Sequence, residues 1–180
     1  ERRILVQKDV ATPYMYIAYK APQATHDDYY ALVLLSDILS SGKSSRLYSA
    51  LVDGKQQATA IFSSYGESFD PTLFSINAIA GKGVNETDLE KSIYEELEKI
   101  KKDGVTDKEL QKVKNQKLIE FYNQVETING KSNNIGTYEV FFGDYKKMFE
   151  APDRYNKVTA EDIKRVANAY FNKTTRTVGI

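Results

Sequence analysis

Apolar residues recur at every second position in the early strands and at every third or fourth position over much of the remaining chain, and this change of period sketches the fold. Strands are predicted over 3–10 and 14–21. In the second, Tyr14, Tyr16, Ala18 and Lys20 alternate with Met15, Ile17 and Tyr19, the two-residue period of a pleated strand with one face buried. Pro13 falls between the two, where it removes no ladder donor. A helix is predicted over 27–40, with Asp27 and Asp28 at its positive end. Leu32, Val33, Leu35, Ile38 and Leu39 wrap much of its circumference, so it should be deeply buried. Gly42 ends it, and Ser44 or Ser45 is expected to cap a second helix carrying Leu47, Tyr48, Leu51 and Val52.

Two more strands are predicted over 58–65 and 73–80, with Asp70-Pro71 turning between them. In the first, Ile61 and Tyr65 are expected to share a face with Thr59 and Ser63. In the second, Phe74, Ile76, Ala78 and Ala80 oppose Ser75 and Asn77. The remainder is mainly helical. Thr87-x-x-Glu90 and Thr106-x-x-Glu109 both read as capping boxes, in which a threonine and the acid three residues on satisfy each other's backbone donors. A further helix is predicted near 132–142, another is capped by Thr159, and 175–180 reads as a closing strand. This order predicts an α+β fold, an antiparallel sheet with helices packed on one face, in a single domain over residues 1–180.

Composition narrows the chemistry. The 180 residues carry 25 basic and 25 acidic side chains, so nothing favours nucleic acid or an anionic membrane as partner. No apolar run approaches the roughly 20 residues of a membrane helix. Cysteine is absent, which removes disulfides, thiolate metal sites and a cysteine nucleophile together. The single histidine, His26, would need several carboxylates around it to hold zinc, an unusual set; beside Pro22 and Asp27-Asp28 it reads as an exposed loop residue. Glu1 at the start implies a processed product or an excised piece, with any leader already lost.

The local sequence adds a resemblance. Residues Tyr29 to Leu39, then Ser41-Gly42-Lys43-Ser44-Ser45-Arg46-Leu47-Tyr48 and Leu51-Val52, resemble the second homologous domain of pitrilysin/insulinase-family zinc peptidases. Ala18-Tyr19-Lys20-Ala21-Pro22, Gly104 to Leu110 with Lys114-Asn115-Gln116, Val158 to Ile163, and Arg176-Thr177-Val178-Gly179 fall in matching order. The resemblance implies one half of a metallohydrolase-like clamshell, in which a catalytic domain and an inactive relative close on each other. The catalytic member carries H-x-x-E-H on a helix: two histidines one turn apart face one zinc, and the glutamate serves as base on the bound water.

That motif is absent here. The resemblance aligns Val33, Ser36 and Asp37 with its His, Glu and His positions. An Arg/Tyr pair that many inactive domains lend to the partner's site aligns with Val52 and Thr59, so that role is not expected. No catalytic or metal-binding residue is therefore predicted in this chain. Arg46 is the candidate substrate-binding residue, against a structural role bonding nearby carbonyls. Gly42-x-Ser44-Ser45 reads as a helix cap before an anion nest, because it lacks phosphate-loop spacing. The 13 tyrosines either line a peptide-binding wall or sit half-buried in strands and helices. Asn85 and Asn172 open sequons that read as chance.

The implied function is a non-catalytic C-terminal domain of a zinc metallopeptidase that encloses the peptide-cleavage chamber. Its partner would be a catalytic, zinc-binding domain of the same chain or another subunit, with peptide as substrate, no nucleic acid and no membrane insertion. The alternative is an assembly or regulatory module of a two-chain processing peptidase or related complex. The expected compartment is the periplasm, with the cytoplasm as alternative.

Overall fold

The computed structural model describes residues 1–7, 9 and 12–180. A five-stranded sheet runs in the order β1-β5-β2-β4-β3, built from β1 (Arg2–Ile4), β2 (Tyr14–Ala21), β3 (Ala58–Ser64), β4 (Thr72–Ala80) and β5 (Arg176–Gly179). The α+β expectation holds, with one amendment: β1 lies parallel to β5, and all other pairs are antiparallel. The predicted strand over 3–10 is shorter than expected. Its ladder stops at Ile4, although Val6 still donates to the Ile180 carbonyl at 2.8 Å. Lys8, Val10 and Ala11 lie outside the described residues.

The two-residue period is clean in the centre. Met15, Ile17, Tyr19 and Ala21 of β2 face the core beside Phe74, Ile76, Ala78 and Ala80 of β4. In β3 the predicted face fails at one position. Ala58 pairs with Ala80 and Ala60 with Ile79, so Thr59 is the extra residue of a bulge. It turns outward to solvent while Ala58 and Ile61 stay buried. Edge strand β3 is blunted by the first helix. The Ser63 backbone N–H donates to Ser40 Oγ at 2.8 Å, and Ser63 Oγ donates to the Ser36 carbonyl at 2.9 Å.

Among the described residues the α-helices are α1 (Tyr29–Ser40), α2 (Glu86–Asp103), α3 (Asp107–Glu126), α4 (Ile128–Phe142), α5 (Ala151–Lys157) and α6 (Ala160–Tyr170). Apolar side chains of α1, α2, α3 and α6 join those of the inward sheet face in one core. As its all-round apolar pattern predicts, α1 is buried along most of its length. Its start is tied to α6: Asp28 receives Arg165 Nη2 at 2.7 Å and the Tyr170 hydroxyl at 2.7 Å.

Three local predictions need correction. The Thr87–Glu90 capping box does not form. Asn85 caps α2 instead, accepting from the Thr87 N–H at 2.8 Å. Glu90 is claimed by Arg3, whose two terminal nitrogens reach its carboxylate at 2.8 and 2.6 Å. Neither Ser44 nor Ser45 caps the helical segment after Gly42. Ser45 Oγ turns back to donate to the Gly42 carbonyl at 2.6 Å, and Ser44 Oγ accepts from Lys112 Nζ. The segment widens into a π-helical turn over Tyr48–Gly54, with the Lys55 N–H reaching the Ala50 carbonyl. Finally, α4 begins at Ile128 rather than near Ser132, because Thr127 Oγ1 accepts from the Gly130 N–H at 3.0 Å. The boxes at Thr106/Glu109 and Thr159/Asp162 are both closed.

Candidate functional site

Helix α1 presents the three positions aligned with the zinc motif, and none is available to a metal. Val33 is buried in the core. Ser36 Oγ lies 3.1 Å from Ser63 Oγ. Asp37 Oδ2 sits 3.0 Å from Lys117 Nζ, which also lies 3.0 Å from Glu120 on its own helix α3. Burial pushes the Asp37 carboxyl up, and Lys117 offsets this only in part. Burial works against the Lys117 ammonium, but Asp37 and Glu120 outweigh it and hold its pKa above the ordinary value. A fixed cation thus lies against the one carboxylate of the aligned set. Among the described residues no group of three or more His, Asp or Glu side chains is placed to hold a metal. At the three aligned positions the residues present do not fit a zinc ion.

His26 stands on the exposed turn before α1, with Nδ1 accepting from the Asp28 N–H at 3.1 Å. The candidate Arg46 is engaged by Glu109: Nε reaches Oε1 at 2.7 Å and Nη2 reaches Oε2 at 2.9 Å. Glu109 at the same time accepts from the Thr106 backbone and hydroxyl, both at 2.8 Å. Arg46 therefore fastens the loop after α1 to the capped start of α3. Val52 is half-buried against the core and Thr59 lies on the β3 bulge, so these positions offer no Arg/Tyr pair. Gly42 adopts φ +79°, yet the Ser45 N–H folds back to its carbonyl and makes no anion nest. The sequon amides are both engaged, Asn85 as the α2 cap and Asn172 on the Ala169 carbonyl at 2.7 Å.

The Arg46 side chain and the Thr106 cap hold the Glu109 carboxyl at about 2, against an ordinary 4.5. A carboxyl depressed by folding stabilises fully above its unfolded value, and that contribution drains away as pH falls from there through the folded value. Nearly a third of the side chain meets solvent, so we expect Glu109→Gln to cost on the order of 1 kcal/mol at neutral pH. The difference from wild type should vanish in melts taken as pH is lowered below 4.5 towards 2.

Two surface features went unread in the sequence. One is a cavity of about 320 Å³ beside Lys117, between α3, α4 and the start of α5. The other is the outward face of the sheet, where Ile4, Tyr14, Tyr16, Phe62 and Leu73 are 37–59% exposed. Between the taller side chains lie Ala18, Ser75 and Asn77, and Asn77 Oδ1 accepts from the Tyr14 hydroxyl at 2.9 Å. Alternation had separated Tyr14 and Tyr16 from Met15 and Ile17, but gave no sign that the outward face would carry so many large apolar side chains.

The α+β fold, with an ion pair at the position aligned with a metal-ligand histidine of the motif helix, is that of a zinc-peptidase-like unit without its metal ligands. Residues 1–117 match the family model of the peptidase M16 inactive domain, and the chain belongs to that family. It is 33% identical over 177 residues to the zinc protease PqqE of Helicobacter pylori, covering 98% of this chain and 40% of that protein. It is 27% identical over 168 residues to the uncharacterized zinc protease YmxG of Bacillus subtilis, covering 93% and 41%. A solved protease from Helicobacter pylori superposes with a TM-score of 0.92 at 31% identity, over 98% of this chain and 43% of that one. The chain thus spans about two fifths of the length of the relatives it matches.

Proposed function

We propose that residues 1–180 act as one non-catalytic domain of a zinc peptidase, docked on a zinc-bearing catalytic domain so that peptides are cut in the chamber between them. The observation that carries this reading is the uncovered sheet face. Its outward positions hold Ile4, Tyr14, Tyr16, Phe62 and Leu73, while the helical core residues pack against the other face. Apolar side chains gathered on one exposed face mark a surface built to be covered. The bond from Tyr14 to Asn77 fixes part of that face before a partner arrives.

In this arrangement zinc and the general base belong to the partner domain. This chain contributes a wall, excludes water when the halves close, and limits entry to peptides or unfolded segments. Among the described residues no helix is long and apolar enough to cross a membrane. A cysteine-free chain folds without regard to redox state, which suits the periplasm proposed as its compartment.

The test uses the protein in which this domain accompanies a zinc-bearing domain. Placing glutamate at both Tyr16 and Phe62 should abolish chelator-sensitive peptide cleavage and separate the two domains on a sizing column. The melting temperature of the 180-residue chain alone should stay near wild type, and that chain alone should bind no stoichiometric zinc by elemental analysis. Unchanged cleavage by the double variant would overturn the docking face. Chelator-sensitive cleavage by the 180-residue chain alone would overturn the non-catalytic reading.

A further inference from the structure

The cavity beside Lys117 lies against the degenerate motif helix, since Lys117 lines it and holds Asp37 of α1. Its charges do not balance. Lys117 is shared between Asp37 and Glu120 at 3.0 Å each. Glu67, from the connection between β3 and β4, stands on the exposed rim. It takes a hydrogen bond from the Tyr29 hydroxyl at 3.1 Å and meets no lysine or arginine among the described residues. Two carboxylates therefore hold the one ammonium, and a third, Glu67, lines the cavity with no cationic partner among the described residues.

Three aromatic rings, Phe121, Tyr138 and Tyr155, line the cavity beside Ala151 and Pro152. The negative face of an aromatic ring attracts a cation, more strongly where water is scarce. Both phenols are pushed up, first by burial and then by neighbouring tyrosines and carboxylates, with Glu67 acting on each. No histidine lines the cavity, and no metal-holding cluster occurs among the described residues, so a metal ion is disfavoured. The volume of about 320 Å³ lies at the small end for ligand sites and suits one long side chain rather than a folded partner.

We propose that this cavity, bounded by α3, α4 and α5 with Glu67 at its rim, is a subsite for a lysine or arginine side chain of a peptide. The cavity lies in the helical layer, on the opposite side of the sheet from the proposed docking face, so it would hold a segment of the peptide outside the closed chamber; the source of that peptide rests on the peptidase reading, the recognition chemistry does not. Glu67 supplies the counter-charge, the rings of Tyr138 and Tyr155 flank the aliphatic stem, and Lys117 stays neutralised by its own pairs.

The test has two arms. In the first, the 180-residue chain is titrated by NMR with Nα-acetyl-arginine amide, Nα-acetyl-lysine amide and the neutral Nα-acetyl-norleucine amide. Amide dispersion in the same spectra shows that the chain is folded. The two basic ligands should shift the Tyr138 and Tyr155 resonances saturably and the norleucine ligand should not. Glu67→Gln should weaken the basic ligands about five-fold, the upper range for one solvent-exposed charge pair. Equal binding of norleucine, or wild-type affinity in Glu67→Gln, overturns the subsite. In the second arm, the protein containing the zinc-bearing domain is given matched peptides with arginine or norleucine. Glu67→Gln should lower kcat/KM for the arginine peptide alone. A lack of chelator-sensitive cleavage of either peptide would sink the peptidase reading and leave the binding result standing.

Discussion

Replacing Lys117 with methionine should destabilise the domain by about 2–3 kcal/mol, a fall in melting temperature of roughly 4–12 °C for a chain of this size. Asp37 is the reason. Its Oδ2 is buried without a hydrogen-bond partner and faces Lys117 at 3.0 Å. The contact is a charge pair rather than an aligned hydrogen bond, so this oxygen relies on the ammonium, although 21% of the Asp37 side chain still meets solvent. Removing one member of such a pair leaves the other desolvated and uncompensated, which costs more than the pair contributes. The reverse change is expected to be mild. Asp37→Asn removes a carboxylate that burial already disfavours and leaves Lys117 with Glu120, so stability should stay near wild type. The pH dependence separates the cases. A carboxyl whose folded pKa is raised binds its proton more tightly in the folded state, so acid favours folding through that group. The deficit of Lys117→Met should therefore be largest at neutral pH and shrink as pH falls through the raised Asp37 value. Thermal melts of both variants at neutral and mildly acidic pH check this. Equal stability of Lys117→Met and wild type at neutral pH would refute the dependence of Asp37 on Lys117.

That pair also shows where sequence reading ran out. That one histidine cannot supply the two of an H-x-x-E-H motif was legible by counting. The partner of Asp37 was not, because Asp37 and Lys117 sit on different helices and only the packing of α1 against α3 brings them together. The same cause defeated the Thr87–Glu90 box. The local pattern was correct as a pattern, but Arg3, at the other end of a long separation, offers Glu90 two charged donors, and these outweigh one backbone N–H. At Thr159, predicted only as a cap, no distant residue competes for the cap among the described residues, and Asp162 closes a box that had not been read from the sequence. Glu109 serves both, holding Thr106 and Arg46 together. The 3₁₀ turn over Tyr145–Glu150 and helix α5 were missed because that stretch is short and has no clear apolar period. Pro152 there reads as a breaker, yet in the first turn of a helix it costs nothing. The cavity was invisible for a plainer reason: its lining comes from three helices and a strand connection.

Two phenylalanines on adjacent strands then separate what holds the domain together from what it docks with. Phe74 points inward from β4 and is fully buried. Its ring lies 5.0 Å from that of Phe171 edge-on and 6.0 Å from that of Tyr65, stacked, and its cross-strand partner is Tyr19. Phe74→Ala should cost about 3–5 kcal/mol, the transfer loss plus the cavity left among rings that cannot all collapse. At roughly 2–4 °C per kcal/mol, the loss is large enough that the variant should melt well below wild type or fail to accumulate. Phe62 points outward from β3 and is 45% exposed. Phe62→Ala should change the stability of the isolated chain by less than about 0.5 kcal/mol. If the outward face is a wall shared with a catalytic domain, the order reverses in the assembled protein. Phe62→Ala should then weaken domain association while Phe74→Ala, where it folds, should leave it intact. Melting curves of the chain and association measurements on the assembled protein give the four values needed. A Phe62→Ala variant silent in both would remove the argument that the exposed rings face a partner.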